Sequence, residues 1–413
     1  CHGSGATACR TKNEDKWHKI RYYPKLDAVY SYSELFFYNL NHLIDDYDKL
    51  VDSCQMSPKA RVVLVPKDSR GPRVISCEPA ELMYAQQGIM RLLYHVLETH
   101  QLTAGQLNFT DQEINRKLAH HASLHDDMAT IDLSEASDRV SLGLVRKVFP
   151  LNWVECLEAT RSESTVLPDG REVKLNKFAP MGSSCCFPVE ALVFWASAQA
   201  TMHRLRAENP KAYVYGDDII VGSAYAQPVM DDLELIGLKI NYSKSYIKGP
   251  FRESCGGDYH IGYDVTPVRL RKFLNKSHTS IATSADFCNL LVAKFGYDTV
   301  CSIIDLVQDG VDYVYPRTEL SIPLTIRAIP SASNDVLFRQ RRNKRYQIKE
   351  SRILQPHTGK LILRERTWCE LLRSELVVKS RQSNTAAMTS LSSVRDESFK
   401  AGSYADTHSA RAK

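Results

Sequence analysis

The chain has 413 residues, 43% apolar and 24% charged, with 53 Lys and Arg against 48 Asp and Glu for a net charge of +5. That balance excludes a collagenous, fibrous or wholly disordered chain, and the length passes the roughly 250–300 residues at which a single core stops growing, so about two or three subdomains are expected. Eleven cysteines without a C-x-x-C pair or secretory segment point to a reducing, cytosolic setting, and no apolar run reaches the about 18 residues that a spanning helix needs.

The chain opens at Cys1 rather than Met, so an N-terminal segment is expected to precede it. Apolar residues recur at helical spacing from Tyr32 to Leu50 and from Ala80 to Leu97, which predicts two amphipathic helices. Between them, Arg61 to Ser76 alternates β-formers with basic residues around Ser69-Arg70-Gly71-Pro72, the pattern of a basic β-hairpin. Met128 to Leu133 reads as a short strand ending at Asp132 and feeding a helix from Asp138 to Phe149. A turn at Pro168-Asp169-Gly170 and a Gly/Ser loop from Ala179 to Ser184 precede a long apolar helix, Phe187 to Leu205. Cys185 and Cys186 are expected to be buried as small hydrophobes.

Ala212 to Tyr215 and Ile219 to Val221 are β-rich runs joined by Gly216-Asp217-Asp218, a tight hairpin with two carboxylates at its tip. A helix is expected over Pro228 to Leu238, a second hairpin over Phe251 to Arg271 around Gly256-Gly257, and further helix from Ser284 to Asp309. The stretch to about Leu376 is mixed. Beyond Lys379 apolar periodicity is lost, which predicts a flexible tail. Lys and Arg concentrate at Arg61 to Arg73, Arg269 to Lys276 and Arg339 to Lys349 with aromatic residues interleaved, as a surface tracking a phosphate backbone requires.

Tyr215-Gly216-Asp217-Asp218 is the strongest chemical signal. Taken alone, Gly-Asp-Asp is a common turn tripeptide. Asp132 ends a separate β-run, however, and two strands side by side would bring it against Asp217. Phosphoryl transfer needs developing negative charge neutralised, and two divalent ions about 3.5–4 Å apart clamp the attacking and leaving oxygens. Mg²⁺ takes such oxygen ligands. His120, His121 and His125 beside Asp126 include an i,i+4 pair, but no further ligand closes a zinc site, so a surface or packing role is expected. The absence of a G-x-x-x-x-G-K-[ST] run removes a P-loop motor or kinase.

Taken in order, the motifs resemble those of the replicase catalytic subunits of single-stranded RNA bacteriophages (levivirus-like), among the right-hand-shaped viral RNA polymerases. The resemblance is carried by His2-Gly3-Ser4-Gly5-Ala6-Thr7, Pro66-Lys67-Asp68-Ser69-Arg70-Gly71-Pro72-Arg73, Ile131-Asp132-Leu133-Ser134-Glu135-Ala136-Ser137-Asp138-Arg139, Met181-Gly182-Ser183-Ser184, Tyr215-Gly216-Asp217-Asp218 and Phe251-Arg252-Glu253-Ser254-Cys255-Gly256. It covers roughly Cys1 to Arg271.

The resemblance implies an α+β right-hand fold with palm, fingers and thumb, the palm an antiparallel sheet flanked by helices. Residues 1–126 would be a fingers region including the hairpin 61–76. Residues 127–271 would be palm, with a fingers insertion, the metal site and a hairpin supporting the 3′ end. Residues 272–378 would be thumb and 379–413 the basic Ser/Thr-rich tail.

The implied activity is RNA-templated RNA synthesis, with Asp132, Asp217 and Asp218 holding two Mg²⁺ ions and Mn²⁺ as a substitute metal. Lys244 is similar to the lysine that protonates the leaving pyrophosphate, with Lys239 and Lys248 as competitors. Arg61, Lys67, Arg70 and Arg73 look like the segment lining the path of the incoming nucleotide, where guanidinium and ammonium groups suit a triphosphate. Arg252 and Arg269 would meet RNA phosphates. Implied partners are template and product RNA, nucleoside triphosphates, host translation elongation factors and an RNA-binding ribosomal protein, with the work done in the host cytoplasm.

At one point the chain departs from the wider viral pattern. In many relatives an Asp after the first metal ligand works with an Asn in the Gly/Ser loop to recognise the ribose 2′-hydroxyl. Asp138 is the matching Asp, but the loop has no Asn. A hydroxyl of Ser183 or Ser184 is expected to substitute, or the contact is made elsewhere. Two other readings stay open: a reverse transcriptase, which shares the paired aspartates, and a non-catalytic RNA-binding scaffold, which would have no use for three carboxylates that repel RNA.

Overall fold

The computed structural model describes residues 7–9, 20–68, 71–270 and 278–309, together with strands at 317–318, 326–327, 340–343, 348–356 and 399–406. It divides into two units, Cys1–Thr266 and Pro267–Lys413. The class is α+β, as expected, with mainly antiparallel sheets.

The first unit opens with α1 (Pro24–Asp27), α2 (Tyr32–Leu35) and α3 (Leu40–Asp52). The single helix expected from Tyr32 to Leu50 is interrupted because Asn39 accepts from the His42 amide at 2.8 Å and starts a new helix. β1 (Lys59–Asp68) and β2 (Gly71–Cys77) form the basic hairpin, with Asp68 opposite Gly71. α4 (Ala80–Thr99) follows as expected. α5 (Glu113–His125) left little trace in the apolar pattern, because its buried face is Asn115, Ala119, Ala122 and Ser123.

β3 (Met128–Asp132) leads into α6 (Ala136–Arg139) and α7 (Leu142–Val148). The helix expected from Asp138 to Phe149 is split at Val140, which is extended and accepts from the Phe178 amide at 2.8 Å, and Ser141 caps the second piece through the Leu144 amide at 3.1 Å. α8 (Leu151–Ala159) is followed by β4 (Ser164–Val166) and β5 (Glu172–Lys174), which extend the hairpin into a sheet ordered β2-β1-β4-β5. α9 (Cys186–Arg204) is the axis of the core, with Val189, Ala191, Val193, Phe194 and Ala198 all at 0% exposure.

β6 (Ala212–Tyr215) and β7 (Asp218–Gly222) join β3 in an antiparallel sheet ordered β3-β7-β6. Helices pack on this sheet from α5, α9 and α10 (Ser223–Leu235). That is why β7 reads Ile219-Ile220-Val221 without polar alternation: all three residues are 0% exposed. α10 begins at Ser223 rather than at Pro228, and Pro228 sits inside it. β8 (Phe251–Ser254), β9 (Gly257–His260) and β10 (Tyr263–Asp264) form a small antiparallel sheet, the expected second hairpin plus one strand.

The second unit contains α11 (His278–Phe295) and α12 (Tyr297–Asp309), separated by Gly296 at φ 79° where one helical run was expected. β11 (Arg317–Thr318) and β12 (Ile326–Arg327) pair in parallel, and β13 (Gln340–Asn343), β14 (Ile348–Pro356) and β15 (Phe399–Asp406) form an antiparallel sheet. β15 corrects the expectation of a flexible tail at those residues. Main-chain pairing to β14 holds it, and such pairing needs no apolar periodicity. The rest of 379–413 lies outside the described residues. Among the described residues no helix is long and apolar enough to cross a membrane.

Candidate active site

The central sheet delivers the aspartates. In the β3–β7 register Asp132 and Asp218 are direct Cα partners, and in the β6–β7 hairpin Tyr215 is opposite Asp218, leaving Gly216 and Asp217 as the turn. In the backbone register Asp132 therefore lies opposite Asp218, while Asp217 stands exposed at the tip, where its charge also reaches Asp132. Gly216 is required twice over. Its φ is 62°, and a Cβ there would lie 2.3 Å from Cε2 of Phe187. Phe187 meets Tyr215 edge-on at 5.3 Å and Phe109 at 5.9 Å, an aromatic floor beneath the turn.

The segment after α10 runs along the outer edge of β3. Thr130 and Tyr246 exchange main-chain hydrogen bonds at 3.0 and 2.8 Å, and the Asn241 amide donates to Asp132 O at 2.9 Å. The Asn241 side chain donates to Asp132 Oδ2 at 2.6 Å, and Ser245 Oγ accepts from the Asp132 amide at 3.0 Å. Lys244, in the same segment, points its ammonium toward Glu253 at 3.6 Å. Burial opposes its charge, but Glu253, Asp132 and Asp218 outweigh burial and raise its pKa. On the other side, the Cys255 amide donates to Asp218 Oδ2 at 3.1 Å from the β8–β9 turn.

The carboxylates are under strain from one another. Burial, then the Asp217 charge, pushes Asp218 up to about 7, with Asp132 adding to the effect. Asp132 is raised by burial first and, further, by Asp217 and Glu253, against the pull of Lys244 and Asn241. Below the tip, Glu190 of α9 is 8% exposed and pushed up to about 8 by burial and then by Asp217.

As the side chains stand, no group of three or more His, Cys, Asp or Glu among the described residues is gathered closely enough to hold a metal ion. The Asp132 carboxylate is turned to Asn241 and that of Asp218 to Cys255. The donor set nevertheless fits Mg²⁺: all oxygen, on residues whose directly opposed Cβ atoms lie about 4.5–5.5 Å apart in such a pair. A divalent cation would offset the mutual repulsion of these carboxylates.

On the sugar-selection side, the Asp138 carboxylate pairs with the Lys177 ammonium. Ser184 is tied to α4: its hydroxyl donates to Met83 Sδ at 2.9 Å and its amide to Gln86 Oε1 at 3.1 Å. Ser183 is 7% exposed, and its hydroxyl is buried without a hydrogen-bond partner among the described residues. The loop itself is seated on β2, the Ser76 amide donating to Met181 O at 2.8 Å. Gly182, at φ 120°, comes so close that a Cβ would lie 2.3 Å from Ser76 O.

The basic residues separate into two kinds. Lys67 and Arg73 are exposed on the hairpin arms, and Arg269 is exposed in the second unit. Arg61 is partly buried and donates to Thr7 O and Ala8 O at 3.2 and 3.1 Å, so it ties Thr7 and Ala8 to β1. Arg70 lies outside the described residues. Arg252 corrects the RNA-binding expectation outright: its side chain is 0% exposed, paired with Asp126 at 2.6 Å and donating to the carbonyls of Met128, Ile247, Gly249 and Phe251. It is an internal staple. His121 and His125 meet with ring centres 4.2 Å apart and planes tilted by 37°, while His120 engages Gly262 O at 2.7 Å.

Asn241, Ser245 and the Cys255 amide were missed in the sequence as parts of the site, although the first two stand in the same five-residue motif as Lys244. Lys177 and Glu190 carry no sequence signal that marks them.

A family model described as RNA replicase, beta-chain matches residues 42–284. The chain is 38% identical over 261 residues to the RNA-directed RNA polymerase subunit beta of Enterobacteria phage SP, covering 63% of this chain and 43% of that protein. To the subunit of the same name from Escherichia virus Qbeta it is 34% identical over 280 residues, covering 68% of this chain and 45% of the relative. The matched stretch thus spans under half the length of those relatives. Among solved structures, the RNA-dependent RNA polymerase of a human picorbirnavirus aligns at 14% identity with a TM-score of 0.45, over 61% of this chain and 56% of that one.

Proposed function

The chain belongs to the RNA replicase beta-chain family, and from that premise we propose that it synthesises RNA on an RNA template. A 3′-hydroxyl attacks the α-phosphate of a template-paired nucleoside triphosphate, and pyrophosphate leaves. The observation that carries the reading is the pairing of Asp132 with Asp218 across β3 and β7, with Asp217 at the adjoining turn.

Asp132, Asp217 and Asp218 would hold two Mg²⁺ ions, which supply charge neutralisation for the attacking and leaving oxygens when bound. Asn241 and the Cys255 amide orient the carboxylates. Lys244, kept protonated by its acidic neighbours, gives its proton to the leaving pyrophosphate. Lys67 and Arg73 meet the incoming triphosphate from the exposed hairpin. Template and product RNA are the macromolecular partners. The family resemblance adds host elongation factors and an RNA-binding ribosomal protein, in the host cytoplasm.

A reverse transcriptase would share the aspartates; the relatives' names favour copying RNA into RNA. Incorporation of labelled ribonucleotides by the purified chain on an added RNA template, with and without Mg²⁺, tests the proposal. Mg²⁺-dependent extension of RNA supports it. Extension with deoxynucleotides only, or RNA binding without incorporation, would overturn it.

A further inference from the structure

Resting on the polymerase reading above, we infer that Lys177 reads the ribose 2′-hydroxyl jointly with Asp138, supplying the hydrogen-bond donor that the Gly/Ser loop lacks.

A 2′-hydroxyl both donates and accepts, so a complete reader offers one acceptor and one donor. Ionised Asp138 offers acceptors only. The loop provides no amide side chain, and the Ser184 hydroxyl and amide are spent on Met83 and Gln86. The Ser183 hydroxyl is buried. What the fold brings to Asp138 instead is the Lys177 ammonium, which donates to Asp138 Oδ1. An ammonium carries three donors, and Asp138 Oδ1 takes one, while Oδ2 stays an acceptor on the same carboxylate. The two side chains are 23% and 52% exposed, so the pair is open to a ligand.

Lys177 is not a loose surface lysine. Its backbone is bridged to Ser141, with the Leu142 amide donating to Asn176 O at 3.2 Å and the Phe178 amide to Val140 O at 2.8 Å. From behind, Arg161, 6% exposed, donates to Leu175 O, Lys177 O and Phe178 O at 3.1, 3.0 and 2.8 Å. Two strands of contact therefore fix the residue whose ammonium meets Asp138. The position suits the site as well: Asp138 lies on α6, the short helix that follows β3 and Asp132, and Asp138 and Asp217 both act on the charge of Glu190.

The test compares kcat/KM for matched ribo- and deoxynucleotides on one RNA template in the parent, Lys177→Met and Lys177→Gln, with thermal melts of each. Lys177→Met should lower the ribo-to-deoxy preference about tenfold or more, through a raised KM for the ribonucleotide. Lys177→Gln, a neutral donor one atom shorter, should recover part of that preference, and it carries the test if the Met variant melts early. An unchanged preference in Lys177→Met, or a Gln variant no better than Met, overturns the inference while leaving the polymerase reading intact. A parent that incorporates neither nucleotide overturns the polymerase reading, and this inference with it.

Discussion

The Phe187 ring closes the space behind Gly216, so that an alanine Cβ at 216 would sit 2.3 Å from Phe187 Cε2, at a backbone φ of 62°. Both faults act on the turn that carries Asp217. Gly216→Ala should cost about 1–2 kcal/mol for the left-handed backbone and about 1–3 kcal/mol for the overlap, and should remove nearly all nucleotide incorporation. Adding Phe187→Leu should return the overlap part of the stability but not the backbone part. Urea melts of the parent and the two variants check this, and a Gly216→Ala protein as stable as its parent would show that the turn relaxes freely.

Asp217 stands exposed at the turn. Asp217→Asn should therefore leave the melting temperature at or slightly above the parental value, because its repulsion of Asp132, Asp218 and Glu190 is removed, while lowering single-turnover incorporation about a thousandfold, equivalent to about 4 kcal/mol of transition-state stabilisation. Incorporation at the parental rate by the purified variant would remove Asp217 from the metal site.

Arg252 serves the fold and not RNA. Its guanidinium satisfies four carbonyls and Asp126 with no exposed surface. Arg252→Met should cost on the order of 3 kcal/mol, since the acceptors are left without donors. Lys cannot reproduce the fork, so Arg252→Lys should rescue little. RNA affinity per folded molecule, measured by filter binding at low temperature, should stay at the parental value; a large loss there with an unchanged melting curve would reinstate a phosphate contact.

Glu190 couples stability to pH. Its folded pKa is raised to about 8 from an ordinary 4.5 by burial and then by Asp217. Because the folded state holds the proton more tightly, the stability from protonated Glu190 is full below the unfolded pKa and is lost as pH rises through about 8. In EDTA, the parent should lose stability between about pH 4.5 and about pH 8, and Glu190→Gln should flatten the decline. Parallel curves for parent and variant would mean that Glu190 is ionised in the fold at neutral pH.

Much of the local structure was legible in the chain. Alternation and a turn signal marked the β1–β2 hairpin, and Tyr215-Gly216-Asp217-Asp218 between two β-runs marked the carboxylate hairpin, because turn chemistry acts over a few residues. Helix breaks at Asn39, Val140 and Gly296 were not legible, since apolar spacing continues through a cap or kink that the backbone does not. The α5 helix was missed for the converse reason, a buried face of Ala, Ser and Asn that gives no apolar stripe.

By itself, then, the sequence determined the elements and the residue types of the site: aspartates at strand ends, glycine where φ must be positive, basic residues along a hairpin. Only the tertiary structure decided which partner each side chain takes. Strand register put Asp132 opposite Asp218, packing buried Arg252 among carbonyls, and a long-range bridge brought Lys177 to Asp138. The physical reason is range. Propensity and turn geometry act between neighbours in the chain, whereas an arginine reads the same in sequence whether folding spends its donors on carbonyls or leaves them to a phosphate.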